Sequence, residues 1–172
     1  MFSRIIKDFF LKKNIKKQLT NRTEASNDEI KTIGIIVDST YFFDYEKLLA
    51  EIKAKKNDFK EIKMLLYNDK ISHKDSLSQL SFSIKDVSLL GKIKVIEVQD
   101  FISYPFDLLI NFYDQEKLPL VQVSLLSKAK FKVGFSDSVT NVGNHLMIQS
   151  DSKNYKDFVA ELFKYLKILN KI

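Results

Sequence analysis

Apolar residues recur with helical spacing from the second position of the chain. Phe2, Ile5, Ile6, Phe9 and Phe10 fall at i, i+3, i+4, i+7 and i+8, which predicts a helix over residues 2–20 with one apolar stripe. Past Leu11 the stripe changes character. Leu11, Ile15 and Leu19 continue on another face, while Lys12, Lys13, Lys16 and Lys17 take over much of the azimuth that the first stripe held. Residues 20–29 (TNRTEASNDE) are polar and aperiodic and read as a linker.

From residue 32 the pattern becomes that of alternating strands and helices. Residues 32–37 (TIGIIV) form a continuous, mostly β-branched run, as expected of a strand covered on both faces. A helix is predicted over 44–56, with Tyr45, Leu48, Leu49 and Ile52 on one side and Asp44 as its N-cap. Residues 62–67 repeat the apolar strand pattern, completing a βαβ unit. Residues 70–90 are rich in Ser and Lys and read as a loop with a short edge strand near 80–84; 93–98 alternate and read as a half-exposed strand. Strands at 107–112, 131–135 and 146–148 follow. Helices are predicted at 118–127, with Pro119 in its first turn, and at 153–169, with Ser152 as its cap. The expectation is an α/β protein: a three-layer, Rossmann-like sandwich with a mostly parallel sheet, preceded by a basic amphipathic N-terminal helix. The domain division is 1–22 basic helix, 23–30 linker and 31–172 a single α/β domain.

Charge changes this picture in one place. The chain of 172 residues carries a net charge of +6. Residues 1–22 hold Arg4, Lys7, Lys12, Lys13, Lys16, Lys17 and Arg22 against a single acid, Asp8, so the remainder is neutral. Net charge bears on partners rather than on fold. These seven residues are therefore the candidate polyanion-binding set.

Composition removes several chemistries. There is no Cys, which excludes disulfides, thiol catalysis and thiolate metal sites. The two histidines, His73 and His145, have no partner at metal-ligand spacing. Four glycines make no phosphate-binding G-x-x-x-x-G-K-[ST] or G-x-G-x-x-G loop, and no G-x-S-x-G elbow occurs. Gly34 and Gly134 lie inside strands, where a close neighbour is the expected reason. No run approaches membrane-spanning length, and charges interrupt the N-terminal apolar segment where an export signal would need continuity. The expected location is cytoplasmic, with peripheral attachment to a membrane as a variant. No catalytic residue, metal or cofactor is assigned.

Residues 106–136 (FDLLINFYDQEKLPLVQVSLLSKAKFKVGFS) resemble the N-terminal Rossmann-like half of heptosyltransferase-type glycosyltransferases, through the DLLIN strand, the small helix followed by Ala129 and Lys130, and the KVGF strand. Residues 144–169 continue the likeness. It implies a Rossmann-like fold. That family's second half, which binds the nucleotide sugar, has no counterpart here. Where its first strand runs into a Gly-Asp turn, this chain reads Val37-Asp38-Ser39-Thr40. The whole chain is also similar to an uncharacterised bacterial family of small proteins with a basic N-terminal helix.

Ligands of open α/β sheets bind beyond the carboxyl ends of the strands. The crest residues expected there are Asp38, Ser39, Thr40, Asn111, Asp114 and Ser136, with Asn68, Asp69 and Asp137 alongside; the competing reading is that polar residues simply end strands and cap helices. The functional expectation is a non-catalytic binding module docking through its cationic helix on RNA or a ribonucleoprotein such as the ribosome, the neutral domain contacting protein. The alternatives are a peripheral protein on an anionic membrane surface, and a reduced glycosyltransferase-like half that needs a partner.

Overall fold

In the computed structural model, residues 2–20, 24–71, 79–115, 117–136 and 143–172 are described. The elements run α1 (Phe2–Leu19), β1 (Thr32–Asp38), α2 (Tyr45–Lys55), β2 (Glu61–Tyr67), β3 (Ser81–Phe82), a 3-10 turn (Ile84–Asp86), α3 (Ile96–Ser103), β4 (Leu108–Phe112), α4 (Leu118–Leu126), β5 (Phe131–Phe135), β6 (Leu146–Ile148) and α5 (Tyr155–Ile168). The six strands make one sheet in the order β3-β2-β1-β4-β5-β6, and every pairing is parallel. The chain winds outward from β1 to β3, returns to lay β4 beside β1, and winds outward the other way. The strand order therefore reverses between β1 and β4.

The apolar run of β1 explains its central place. Its five interior residues are all buried. Ile33, Ile35 and Val37 face one core, with Leu48 and Ile52 of α2 and Phe158, Leu162 and Leu166 of α5. Ile36 faces the other, with Leu11 of α1, Val98 and Phe101 of α3, and Leu120 and Val123 of α4. Neighbouring β4 divides likewise, Ile110 and Phe112 toward α5 and Leu109 toward α4. The sheet is thus the middle of three layers, as its residue pattern implies. Gly34 serves close packing: a Cβ there would lie 2.7 Å from the Phe106 ring and 3.0 Å from Leu109.

Three local expectations are corrected, and one holds in position alone. Residues 93–98 are not a strand. Ile93 makes a single antiparallel bridge to Val87, and a helix, α3, begins at Ile96. Its inward residues Val98 and Phe101 sit one helical turn apart, and it stops just before Pro105, which disfavours helix in the residue preceding it. Asp44 occupies the N-cap position of α2 without making the cap hydrogen bond; its carboxylate pairs with Lys47 instead, at 2.8 Å. The cap of α5 is Asn154, whose side chain accepts from the Asp157 N–H, while the Ser152 hydroxyl donates to Asp114. Asn111 does not reach the crest, as described below.

α1 lies against α4, but not by its longest apolar stripe. Its inward residues are Lys7, Leu11 and Asn14. Leu11 is fully buried, the Lys7 ammonium donates to the Ile84 carbonyl at 2.9 Å, and the Asn14 amide donates to the Leu90 carbonyl at 3.3 Å. Phe2, Ile5 and Phe9 point away from the domain, 79, 61 and 64 % exposed.

Candidate functional site

Two places answer to the sequence expectations: the carboxyl edge where the strand order reverses, and the outer face of α1.

At the carboxyl edge, β1 ends in Asp38 and β2 runs on into Asp69. Between them stands Lys117, from the residue just before α4. Its ammonium lies 2.7 Å from Asp38 Oδ2 and 2.8 Å from Asp69 Oδ2, and it donates to Thr40 Oγ1 at 2.9 Å. An ammonium has three protons to give, and these three acceptors take them all. Tyr67 closes the group from below, its hydroxyl donating to Asp69 Oδ1 at 2.7 Å. Burial by itself would push the Lys117 pKa down; its bonds to Asp38 and Asp69 outweigh that and hold it above the usual lysine value. Burial likewise works to raise Asp69, and Lys117 with the Tyr67 hydroxyl hold it below the usual carboxylate range instead. Tyr67, buried and bonded to a carboxylate, is pushed far up.

Loop bonds complete the crest. The Asp38 carboxylate accepts from the Thr40 N–H at 3.0 Å, and the Ser39 hydroxyl donates to the Tyr67 carbonyl at 2.9 Å. Beside them a cleft of ≈ 190 Å³ is lined by Asp38, Tyr41, Phe42, Tyr113, Asp114 and Ser152. The Phe42 ring packs on Phe112 at 4.9 Å, folding the β1–α2 loop over the sheet end. Doubly wound folds that bind phosphate leave a glycine-rich loop and a helix N-terminus open at this point. Here the corresponding loop, without a glycine, is tied down by its own polar side chains and an aromatic ring.

Of the expected crest residues, Asp38, Ser39, Thr40 and Asp114 do stand around this edge, and Asn68 and Asp69 join them. Ser136 lies at the end of β5 and bonds through its N–H to Ile148 at 2.9 Å. Asn111 is buried on the α4 face of β4, where its amide donates to Ser124 Oγ at 2.8 Å and to Asn144 Oδ1 at 2.7 Å. Under the same helix, Lys132 donates to the Ser124 and Ser127 carbonyls at 2.6 and 2.9 Å, capping the α4 C-terminus from inside, and burial lowers its pKa to about 8. His145 is a packed residue: its Nδ1 accepts from the Lys132 N–H at 2.9 Å and its ring stacks on Phe131. Asp107, the acid of the DLLIN strand, sits at the opposite edge of the sheet. It accepts from the Lys31 and Thr32 N–H groups and from Lys130, pinning the start of β1 to the start of β4. Asp137, His73 and Arg22 lie outside the described residues.

Lys117 was not singled out by the sequence. A lone lysine in a polar loop gives no local signal, and its partners lie 79 and 48 positions upstream.

The cationic set divides by face. Lys7 is turned inward, its pKa lowered by burial and by the charge of Lys94 nearby. Arg4 lies close enough to act electrostatically on Tyr67 and Asp69, so the start of α1 approaches the crest. Lys12, Lys13, Lys16 and Lys17 are all exposed. At 100° per residue Phe2, Ile5 and Phe9 share one azimuth with Lys12, Lys13 and Lys16, and Lys17 borders it. The outer face of α1 is therefore apolar over its first half and cationic over its second.

The strand order and its reversal point define a doubly wound α/β protein of the Rossmann type whose crest is closed by its own ion group. The chain belongs to a family of unknown function (DUF6913), which it matches over residues 7–169. No curated protein and no solved structure matches it.

Proposed function

We propose that this protein is a peripheral docking module that binds an anionic bilayer surface through the outer face of α1. The observation that carries the reading is the pairing, on one uncovered helix face, of three exposed apolar side chains with the exposed Lys12, Lys13, Lys16 and Lys17. An interfacial helix needs both: an apolar face that enters the headgroup boundary and cations that stay with the lipid charge. Docking on RNA would use the lysines and leave Phe2, Ile5 and Phe9 in water, since phosphate contacts carry such binding and aliphatic Ile5 offers no stacking surface. The ion group of Lys117 speaks against the glycosyltransferase-like alternative, because it fills the reversal point where that reading needs an open loop. Among the described residues no helix is long and apolar enough to cross a membrane, so attachment would be to the surface.

Co-sedimentation of the full chain with phosphatidylcholine vesicles, with and without phosphatidylglycerol, tests the proposal. Binding should require the anionic lipid. Replacing Lys12, Lys13, Lys16 and Lys17 by Gln should weaken it by up to about a thousandfold, at roughly 1 kcal/mol per lysine. Binding to single-stranded RNA that survives Phe9→Ser, with none to vesicles, would replace this reading by the RNA one.

A further inference from the structure

The cleft of ≈ 190 Å³ beside the Lys117 group is built by three segments. The β1–α2 loop brings Tyr41 and Phe42, the end of β4 brings Phe112, Asp114 and Gln115, and the turn before α5 brings Ser152 and Lys153. These walls are tied to one another. Phe42 packs on Phe112 at 4.9 Å and on Tyr155 of α5 at 6.4 Å, and the Ser152 hydroxyl donates to Asp114. The turn is also fixed in its own right: the Lys153 N–H donates to the Asp151 carboxylate and the Asn154 N–H to the Asp151 carbonyl, each at 2.9 Å. A cleft held in this way loses little freedom when it binds, which favours a small ligand.

Its lining joins an aromatic wall to one acid and one base. Phe112 is buried, Phe42 half-buried, and Tyr41 is a large ring left 71 % exposed. Asp114 and Lys153 are both exposed. Asp114 gives one carboxylate oxygen to Ser152 and keeps the other open. Among the described residues the Lys153 ammonium and the Gln115 amide have no hydrogen bond or ion pair, and Asp114 and Lys153 do not pair with each other. An unpaired carboxylate and an unpaired ammonium on one aromatic cleft are the complement of a zwitterion with an apolar body. A phosphate finds no such complement, because the protons of Lys117 are all taken and the Asp38 and Asp114 carboxylates repel an anion. The volume lies below the roughly 300–1,000 Å³ of pockets for drug-sized ligands, so the cleft suits a single small metabolite.

We propose that this cleft is a binding site for a free α-amino acid with an apolar side chain. Asp114 accepts from the ligand's ammonium, Lys153 and the Gln115 amide donate to its carboxylate, and the wall of Tyr41, Phe42 and Phe112 covers its side chain. Residues inside a peptide carry neither charge, so the ligand is the free amino acid. The site uses no residue of α1 and stands independently of the docking function proposed above.

Calorimetric titration of the full chain with L-leucine and with L-phenylalanine tests the proposal. At least one of them should bind saturably. The N-acetyl derivative of that amino acid, which has no ammonium, and its amide, which has no carboxylate, should each bind about tenfold more weakly or worse. Asp114→Asn should erase the preference over the N-acetyl derivative and keep that over the amide. Lys153→Gln should do the reverse. The Lys153 side chain makes no bond among the described residues, so Lys153→Gln should melt as wild type does and decides the matter even if Asp114→Asn unsettles the turn. No saturable heat for either amino acid at millimolar concentration would overturn the proposal. So would derivatives that bind as tightly as the free amino acid, or a Lys153→Gln protein that still discriminates against the amide.

Discussion

Replacing Lys117 by Met removes the ammonium bonded to Asp38, Thr40 and Asp69 while keeping most of the side chain's apolar volume. The side chains of Lys117, Asp38 and Asp69 are 16, 12 and 29 % exposed, so the group lies between two regimes. Exposed ion pairs contribute about 0–1 kcal/mol, and breaking a fully buried pair costs about 3–5 kcal/mol because the orphaned charge stays buried. With two carboxylates orphaned together but partly wet, Lys117→Met should cost about 2–3 kcal/mol at neutral pH. That is a fall of roughly 4–12 °C in melting temperature for a chain of this size. The pH dependence identifies the cause. In wild type, Asp69 is held below the usual carboxylate range, so its contribution is present above the unfolded value and is lost as pH falls through the folded one. Lys117 is held above its usual value, so its contribution is full below about pH 10 and is lost as pH rises beyond. The deficit of Lys117→Met should accordingly be flat from about pH 5 to 10 and shrink as pH falls further, because Asp69 takes up a proton more readily once Lys117 no longer holds its pKa down. Urea unfolding at neutral and acid pH measures this. Adding Asp38→Asn and Asp69→Asn to Lys117→Met should restore most of the loss. An equal deficit at both pH values, or none at neutral pH, would refute the reasoning.

Two further variants test the packing, beside the vesicle experiments above. Gly34→Ala should destabilise by about 1–3 kcal/mol in chemical unfolding, because its Cβ would overlap the buried Phe106 ring. Lys132, lowered to about 8 by burial, binds its proton less readily folded than unfolded, so it makes stability rise as pH climbs from about 8 toward 10. Lys132→Met should lose that rise, read as melting temperature against pH for the two proteins side by side.

Much of the architecture was legible because its causes are local. β1, β2, β4 and β5 announce themselves as apolar runs, and α5 as a long single-faced helix, which suffices for a layered α/β sandwich. α3 was not legible: it spans eight residues, and the mixed pattern of Ile93, Lys94, Val95 and Glu97 at its start imitates a strand. For α1 the helix could be read but not its orientation. Amphipathic spacing would turn Phe2, Ile5 and Phe9 toward the core, yet the inward residues are Lys7, Leu11 and Asn14. The bonds that hold Lys7 and Asn14 inward run to carbonyls of residues 84–91, which no local pattern reveals. The crest acids could be placed at strand ends by type. Their shared partner could not, for the same reason of distance along the chain.

Leu11 gives the N-terminal helix a mechanical consequence. A basic arm on a flexible linker would be a tether, letting the domain tumble beneath whatever surface the arm holds. Here the segment that carries the exposed lysines also plugs the core beneath α4, and Ile30 beyond it is buried too, its N–H bonded to the Lys171 carbonyl at 2.9 Å. The helix is a bracket: a surface that grips it sets the heading of the whole sheet, and a force that pulls the helix away must first draw Leu11 out of the core.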